Sequence, residues 1–250
     1  MGPVLPEARK PVVNTGHPAK TAPCKGFWAR LGPEGRRMTR YDRKVQLLAA
    51  GLSALAGFVD ATGFIKLGGF FVSFMSGNTT RLAVGLAQDR TAGLEAGALI
   101  GGFVLGVMLG TWAGHLAKAR RTVWLLLLVA GLLALAAALN QTGFATGAIA
   151  AMVLAMGVEN TVFERDGEVH IGLTYMTGTL VKFGQRLMGA LLGGDRRAWR
   201  PYLLLWLGLA GGALAGALDY PLLGMGNLWL AAVAALLFAA LAARLQPLTS

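Results

Sequence analysis

Residues 75–81 read MSGNTTR, and residues 176–182, which begin 101 positions later, read MTGTLVK. Both copies have the same order: Met, a hydroxyl residue, Gly, a second small polar residue and, six positions after the Met, a cation. Upstream, GFVD at 57–60 is matched by GVEN at 157–160, a spacing of 100. A polar, Gly-containing interruption that occurs twice beside apolar segments is typical of a binding site between the repeats of a transporter.

The composition predicts a membrane protein. The 250 residues are 55% apolar, only 14% are charged and the mean hydropathy is +0.56, whereas a soluble domain has about 25% charged residues. Several apolar runs of about 17–22 residues are long enough to cross a bilayer. The net charge of +11 does not indicate a nucleic-acid partner, because the cations are concentrated in the first 44 residues and in short loops between apolar runs.

Two helical features follow from the apolar pattern. We expect six membrane spans and two weaker segments, about 70–88 and 172–192, which carry the motifs and are too polar in the middle to be ordinary spans. The predicted spans are roughly 45–65, 96–117, 123–139, 143–163, 201–218 and 227–243.

Glycines at four-residue spacing in two of the spans predict close helix contacts. They are Gly97, Gly101, Gly102, Gly106 and Gly110 in one span and Gly208, Gly212 and Gly216 in the other.

The loop charges decide whether the motif segments cross. If the N-terminus is inside and neither motif segment crosses, Lys118, Arg120 and Arg121 lie inside, as the positive-inside rule requires. Each half then has three crossings and one broken or re-entrant motif helix. Because three is odd, the second half is inverted relative to the first, and the two motifs enter from opposite faces. If the motif segments do cross, the repeats are parallel instead.

The chain is therefore predicted to be an all-α, polytopic membrane helix bundle. Residues 1–43 are expected to form a disordered basic cytoplasmic tail, and residues 44–245 the membrane domain, with one repeat at 44–140 and the other at 143–244. We expect a multi-pass protein of a bacterial cytoplasmic (inner) membrane with its N-terminus in the cytoplasm, surrounded by lipid, with self-association left open. Cys24 is the only cysteine and the three histidines do not cluster, so neither a metal nor a cofactor is predicted.

The motifs and their flanks resemble the YoaK-like family of bacterial membrane proteins. The resemblance covers about 44–245 and rests on GFVDA at 57–61, SFMSGNT at 73–79, Glu159-Asn160 and YMTGTL at 175–180. The family usually has Thr-Gly-Asn in the first motif, where this chain has Ser76; the hydroxyl group is retained. The resemblance implies a six-span bacterial inner-membrane protein and does not supply a substrate or a reaction.

Both motifs combine residues that favour helix N-termini with a flexible Gly and, one turn later, a cation. At the start of a half-helix they would present free N–H groups and a positive dipole end to an anion. The alternative is that Gly77 and Gly178 only permit close packing and that the cations reach the interface. The predicted substrate-binding residues are Asp60, Ser76, Gly77, Asn78, Arg81, Asn160, Thr177, Gly178, Thr179 and Lys182.

Asp60 is an ionisable residue deep in the first predicted span, and Asn160 is its counterpart in the second half. A charged group at that depth costs about 2.5–3.5 kcal/mol on insertion scales, so it is a functional candidate. Asp60 could pair with Arg81 or Lys182, carry a proton, or serve only in helix packing.

The sequence leaves three classes of function to weigh. The motifs favour a secondary transporter or permease for a small solute, either anionic or zwitterionic. The alternative is a structural or regulatory membrane protein that binds a partner without transport. An enzyme is not expected, because the sequence has no nucleophile–base pair at usable spacing, no metal-ligand set and no nucleotide-binding loop.

Overall fold

The computed structural model of the protein describes residues 42–165, 168–169 and 172–245. The predicted tail, Cys24 and two of the histidines, His17 and His170, lie outside these residues. The eight α-helices of the described ranges are α1 (Arg43–Lys66), α2 (Met75–Gln88), α3 (Arg90–Ala117), α4 (Arg121–Gln141), α5 (Ala145–Glu159), α6 (Met176–Leu191), α7 (Arg200–Leu223) and α8 (Leu228–Leu245).

The helix bounds agree with the predicted segments, and the two motif helices are separate from the apolar ones. By length and composition, three single helices (α1, α3 and α4) and the stretch 200–245 could cross a membrane. That stretch is divided into α7 and α8 by a short 3₁₀ turn, Gly224–Asn227, which begins at a glycine in the left-handed region (φ 54°). Helix α5 is apolar but shorter, at 15 residues. The predicted helical membrane bundle is confirmed, whereas six crossings and an inverted repeat stay predictions.

Glycines bring α1 and α7 into backbone contact. A Cβ atom added to Gly208 would lie 2.5 Å from the carbonyl oxygen of Ala50, and one added to Gly216 would lie 2.5 Å from that of Phe58. Only glycine fits at so close an approach. Because the residue numbers rise together along both helices, α1 and α7 run parallel.

The same kind of contact joins α3 and α5. A Cβ atom added to Gly106 would lie 2.5 Å from the carbonyl oxygen of Leu154, and one added to Gly110 would lie 3.0 Å from Cα of Val158. These helices are also parallel. The glycines at 106, 110, 208 and 216 therefore have the packing role predicted from their spacing, whereas a Cβ at Gly101 would meet nothing within 4 Å.

Motif helix α2 and α3 form an antiparallel hairpin. Gly85 touches the backbone of Gly93, and a Cβ on Gly97 would lie 3.6 Å from the side chain of Leu82. Asp89 caps α3, since its Oδ1 accepts a hydrogen bond of 3.0 Å from the backbone N–H of Thr91.

Two short strands follow α5. They are β1 (Glu164–Arg165) and β2 (Glu168–Val169), which pair in antiparallel orientation. Arg121 at the start of α4 forms a salt bridge of 2.8 Å with Oε2 of Glu164 and donates a 2.9 Å hydrogen bond to the backbone carbonyl of the same residue. The end of α5 is thereby tied to the turn between α3 and α4.

Candidate functional site

Both motif helices begin at the wall of one cavity of about 490 Å³. Its lining combines hydroxyl groups, aromatic rings, two thioethers and one cation. Of the described residues that line it, Phe103, near the middle of α3, is the one outside the two motif regions. The others are Ser73, Phe74, Met75 and Ser76 from the first motif region and Gly172, Thr174, Tyr175, Met176, Thr177, Gly178, Thr179 and Lys182 from the second.

Asp60 and Asn78 hold the loop that precedes α2. Oδ1 of Asp60 accepts hydrogen bonds from the backbone N–H groups of Val72 (2.8 Å) and Ser73 (2.9 Å). The buried amide of Asn78 accepts a bond of 3.0 Å from the N–H of Phe71 and donates one of 2.6 Å to its carbonyl. The loop is thus folded back against α1, and α2 starts at the level of Asp60. Within the described residues, Asp60 forms no ion pair with either predicted cation.

Asn160 has the corresponding position in the second half. Its Oδ1 accepts a hydrogen bond of 2.9 Å from the hydroxyl of Thr174, and its amide donates one of 2.9 Å to the carbonyl of Met156. The hydroxyl of Ser53 in α1 donates a 3.0 Å bond to the carbonyl of Leu173. Asp60 and Asn160 therefore both fix the loop in front of a motif helix, through an oxygen acceptor in each case.

The first turns of the motif helices leave donors free. Neither helix has a side-chain cap; the hydroxyls of Thr79 and Thr179 donate instead to the carbonyls four residues earlier. Across the part of the chain that the structure describes, the backbone N–H groups of Ser76, Thr177 and Gly178 donate no hydrogen bond. Free N–H groups at the positive end of a helix dipole favour an anion.

The two motif cations have different surroundings. Lys182 lines the cavity and has no carboxylate partner among residues 42–165, 168–169 and 172–245. Arg81 does not line it; its guanidinium carbon lies 5.1 Å from the ring centre of Phe70 and packs against Gly69. A stacked guanidinium of this kind is a cation–π contact.

The cavity unites half of the predicted binding residues. Ser76, Thr177, Gly178, Thr179 and Lys182 line it, whereas Asp60, Gly77, Asn78, Arg81 and Asn160 do not. Solute binding by any of them stays a prediction.

The lining also includes residues that the sequence interpretation missed. Ser73-Phe74-Met75 and Thr174-Tyr175-Met176 repeat a hydroxyl–aromatic–Met order at the 101-residue spacing of the motifs, and this signal could have identified them. Phe103 has no such signal. No group of three or more His, Cys, Asp or Glu side chains that could hold a metal is present in the described ranges.

Substitutions at Asp60 should distinguish a loop-holding acceptor from a functional charge. Asp60→Asn retains a carbonyl oxygen, as Asn160 does, and should leave thermal stability in detergent near the wild-type value. Asp60→Ala leaves two amides without their acceptor and should destabilise the protein by about 1–3 kcal/mol for each. Equal damage by Asn and Ala would mean that the charge, and not the acceptor, is required.

The fold and this site define a multi-pass integral membrane protein with a helical bundle. The family model described as "Protein of unknown function (DUF1275)" matches residues 48–241. The chain belongs to that family, which confirms the YoaK-like resemblance.

Two relatives are both named transmembrane proteins. "UPF0700 transmembrane protein RA0705" of Rhizobium meliloti (strain 1021) is 40% identical over 196 residues, which cover 78% of this chain and 84% of the relative. "UPF0700 transmembrane protein YoaK" of Bacillus subtilis (strain 168) is 32% identical over 151 residues, covering 56% and 66%. No solved structure matches the chain significantly.

Proposed function

We propose that the protein is a secondary transporter or permease for a small organic anion, which binds between the two motif helices and is moved without chemical change. One observation carries this proposal: both motif helices start at a single cavity that Lys182 also lines. A volume of about 490 Å³ lies in the range of small-molecule sites.

The electrostatics of the lining favour a negative charge. Among the described residues that line the cavity, Lys182 is the cation and none is an Asp or Glu. The free N–H groups at the starts of α2 and α6 add two positive helix ends. A transporter that binds the carboxylate of its substrate at the N-termini of broken helices uses the same arrangement.

The rest of the lining favours an apolar body on the anion. Phe74, Phe103 and Tyr175 contribute aromatic rings, and Met75 and Met176 contribute adaptable thioethers. An inorganic anion would leave these groups without contact. We therefore expect aromatic or alkyl anions to bind better than small hydrophilic ones.

The position of α2 supports a re-entrant motif helix and six crossings. The loop before α2 bonds to Asp60, six residues before the last residue of α1, or about 9 Å at 1.5 Å per residue. Arg81, one and a half turns into α2, lies against Gly69 and Phe70, which follow α1. Helix α2 thus returns toward the end of α1 from which the chain came.

The helix pairing supports an internal repeat, and the re-entrant motif helices proposed above would make its second half inverted. In the proposed repeat, α1 corresponds to α5 and α3 to α7, and the pairs α1–α7 and α3–α5 are both parallel and joined at glycines. Three crossings in each half, with re-entrant motif helices, also keep Lys118, Arg120 and Arg121 on the cytoplasmic side of an inner membrane. The two motif helices then enter from opposite faces.

Cysteine protection tests the proposal without knowledge of the natural solute. Ser76→Cys and Thr177→Cys in a Cys24→Ala background should each react with a small thiol reagent. Benzenesulfonate, a permanent anion with an aromatic body, should slow the reaction at both positions. Methanesulfonate should slow it less, and the neutral benzenesulfonamide should not slow it.

A matched control is Gln141→Cys, an exposed position at the end of α4, where no probe should have an effect. Equal protection by the neutral and the anionic probe would contradict an anion site. No protection at either cavity cysteine would contradict the transporter proposal and favour a partner-binding membrane protein instead.

A further inference from the structure

Glu159, the last residue of α5, is a buried acid without a hydrogen-bond partner in the described ranges. Its side chain is 0% exposed, and across the described residues neither of its carboxylate oxygens has a hydrogen-bond partner. The corresponding residue in the first half is Val59, which is also fully buried. Packing at this position is therefore compatible with an apolar side chain, and the carboxyl group of Glu159 needs another explanation.

Helix α5 packs against α1, α3 and α4, and none of their charged groups bonds to Glu159. Asp60 of α1 is bonded to the amides of the loop before α2, and Arg121 of α4 is paired with Glu164. The other titratable side chains of these three helices are exposed: Arg43, Lys44, Lys66, Arg90, Glu95 and His115.

The surroundings suit a neutral acid and not an ion. A carboxylate that is buried without a partner is strongly disfavoured, and a helix C-terminus adds a negative dipole end. In the part of the chain that the structure describes, Glu159 belongs to no group of three or more His, Cys, Asp or Glu side chains that could hold a metal ion. A proton is the cation that fits.

Glu159 is also next to a part of the molecule that contacts the cavity. The adjacent Asn160 accepts the hydroxyl hydrogen of Thr174, and Thr174 lines the cavity. The Asn160–Thr174 bond therefore links the end of α5 to the lining of the cavity.

We propose that Glu159 is a proton-carrying site that couples anion binding in the cavity to proton movement. This inference rests on the proposed transport function. Glu159 holds its proton while the Asn160–Thr174 bond is intact. When that bond breaks and water reaches the acid, its O–H bond breaks, the proton passes to water and the electron pair stays on the carboxylate.

Infrared spectroscopy of the full chain in lipid vesicles, without any solute, tests the proton site directly. The wild type should show the C=O stretch of a protonated carboxylic acid at neutral pH and lose it reversibly as the pH is raised. Glu159→Gln should lack this band. Glu95→Gln, which removes an exposed carboxyl of α3 and leaves the buried one in place, should keep it.

Glu159→Val, which introduces the residue found at 59, is a second variant that should fold and lack the band. A wild type without the band, a band that survives in Glu159→Gln, or a band that never titrates would each overturn the proton site.

Coupling is tested in a weakly buffered vesicle suspension. Addition of benzenesulfonate should change the pH of the suspension when the vesicles contain the wild type, and should not change it when they contain Glu159→Gln. In the Glu159→Gln background, benzenesulfonate should still protect Thr177→Cys. Equal pH changes in both proteins, or none in a wild type that binds the probe, would overturn the coupling. If the wild type does not bind the probe, the transport proposal fails, and the infrared band still decides whether Glu159 holds a proton.

Discussion

Replacement of Lys182 by glutamine should weaken the binding of benzenesulfonate by roughly ten- to a hundredfold. The lysine is the cation of the cavity lining, and a hydrogen bond to a charged group contributes about 1.5–3 kcal/mol, which corresponds to that range. The concentration of benzenesulfonate that half-protects Thr177→Cys is the quantity to measure. Lys182→Arg keeps the charge and should remain much closer to the wild type.

Arg81→Gln is the matched control in the other motif. The sequence treats the two cations as equivalent, but Arg81 is stacked on Phe70 and lies outside the cavity lining. Its loss should therefore change stability slightly and leave the half-protecting concentration near the wild-type value. An equal loss of binding in Arg81→Gln and Lys182→Gln would show that the asymmetry of the two sites has no functional meaning.

Gly178→Leu should abolish benzenesulfonate binding while the protein stays at least as stable as the wild type. A Cβ atom at Gly178 would meet nothing within 4 Å, so a side chain there would extend into the cavity without disturbing the helix. Replacement of a helical glycine also raises helix stability, by about 0.5–1 kcal/mol for alanine. Binding and thermal stability should thus change in opposite directions, as measured by Ser76→Cys protection and by unfolding in detergent.

Gly184→Leu on the same helix is the control for this substitution. Gly184 is exposed, a Cβ there also meets nothing within 4 Å, and the residue does not line the cavity. The variant should have the same gain in helix propensity and normal binding. Loss of binding in both variants would point to a general effect on α6, and normal binding in Gly178→Leu would place the solute elsewhere.

The helices were largely predictable from the sequence because long apolar runs and glycine spacing depend on local composition. We also expected the two motif segments to meet, and both motif helices start at one cavity, whereas the repeat itself stays a prediction. The role of Asp60 could not be predicted from the sequence. An acidic residue in an apolar segment signals a special environment, but the sequence cannot show that its partners are the backbone amides of Val72 and Ser73, because any residue supplies such groups.

The cavity lining was predictable only where it lay in the motifs. Phe103 lines the cavity because the antiparallel hairpin of α2 and α3 brings the middle of α3 beside the start of α2. This is a tertiary effect that no sequence pattern reveals. The difference between Arg81 and Lys182 has the same origin. The two residues match in position and charge, and only the surrounding loop decides that one stacks on Phe70.

The two glycine contacts have a consequence for how the chain can fold. The pairs α1–α7 and α3–α5 each join a helix from the first half of the sequence to one from the second. A fragment ending near residue 142 would leave the partners of Ala50 and Gly106 missing, and backbone carbonyls that are now covered would face lipid. Each half of the sequence therefore covers backbone groups of the other, and we expect a chain that ends near residue 142 to fold only when the second half is supplied.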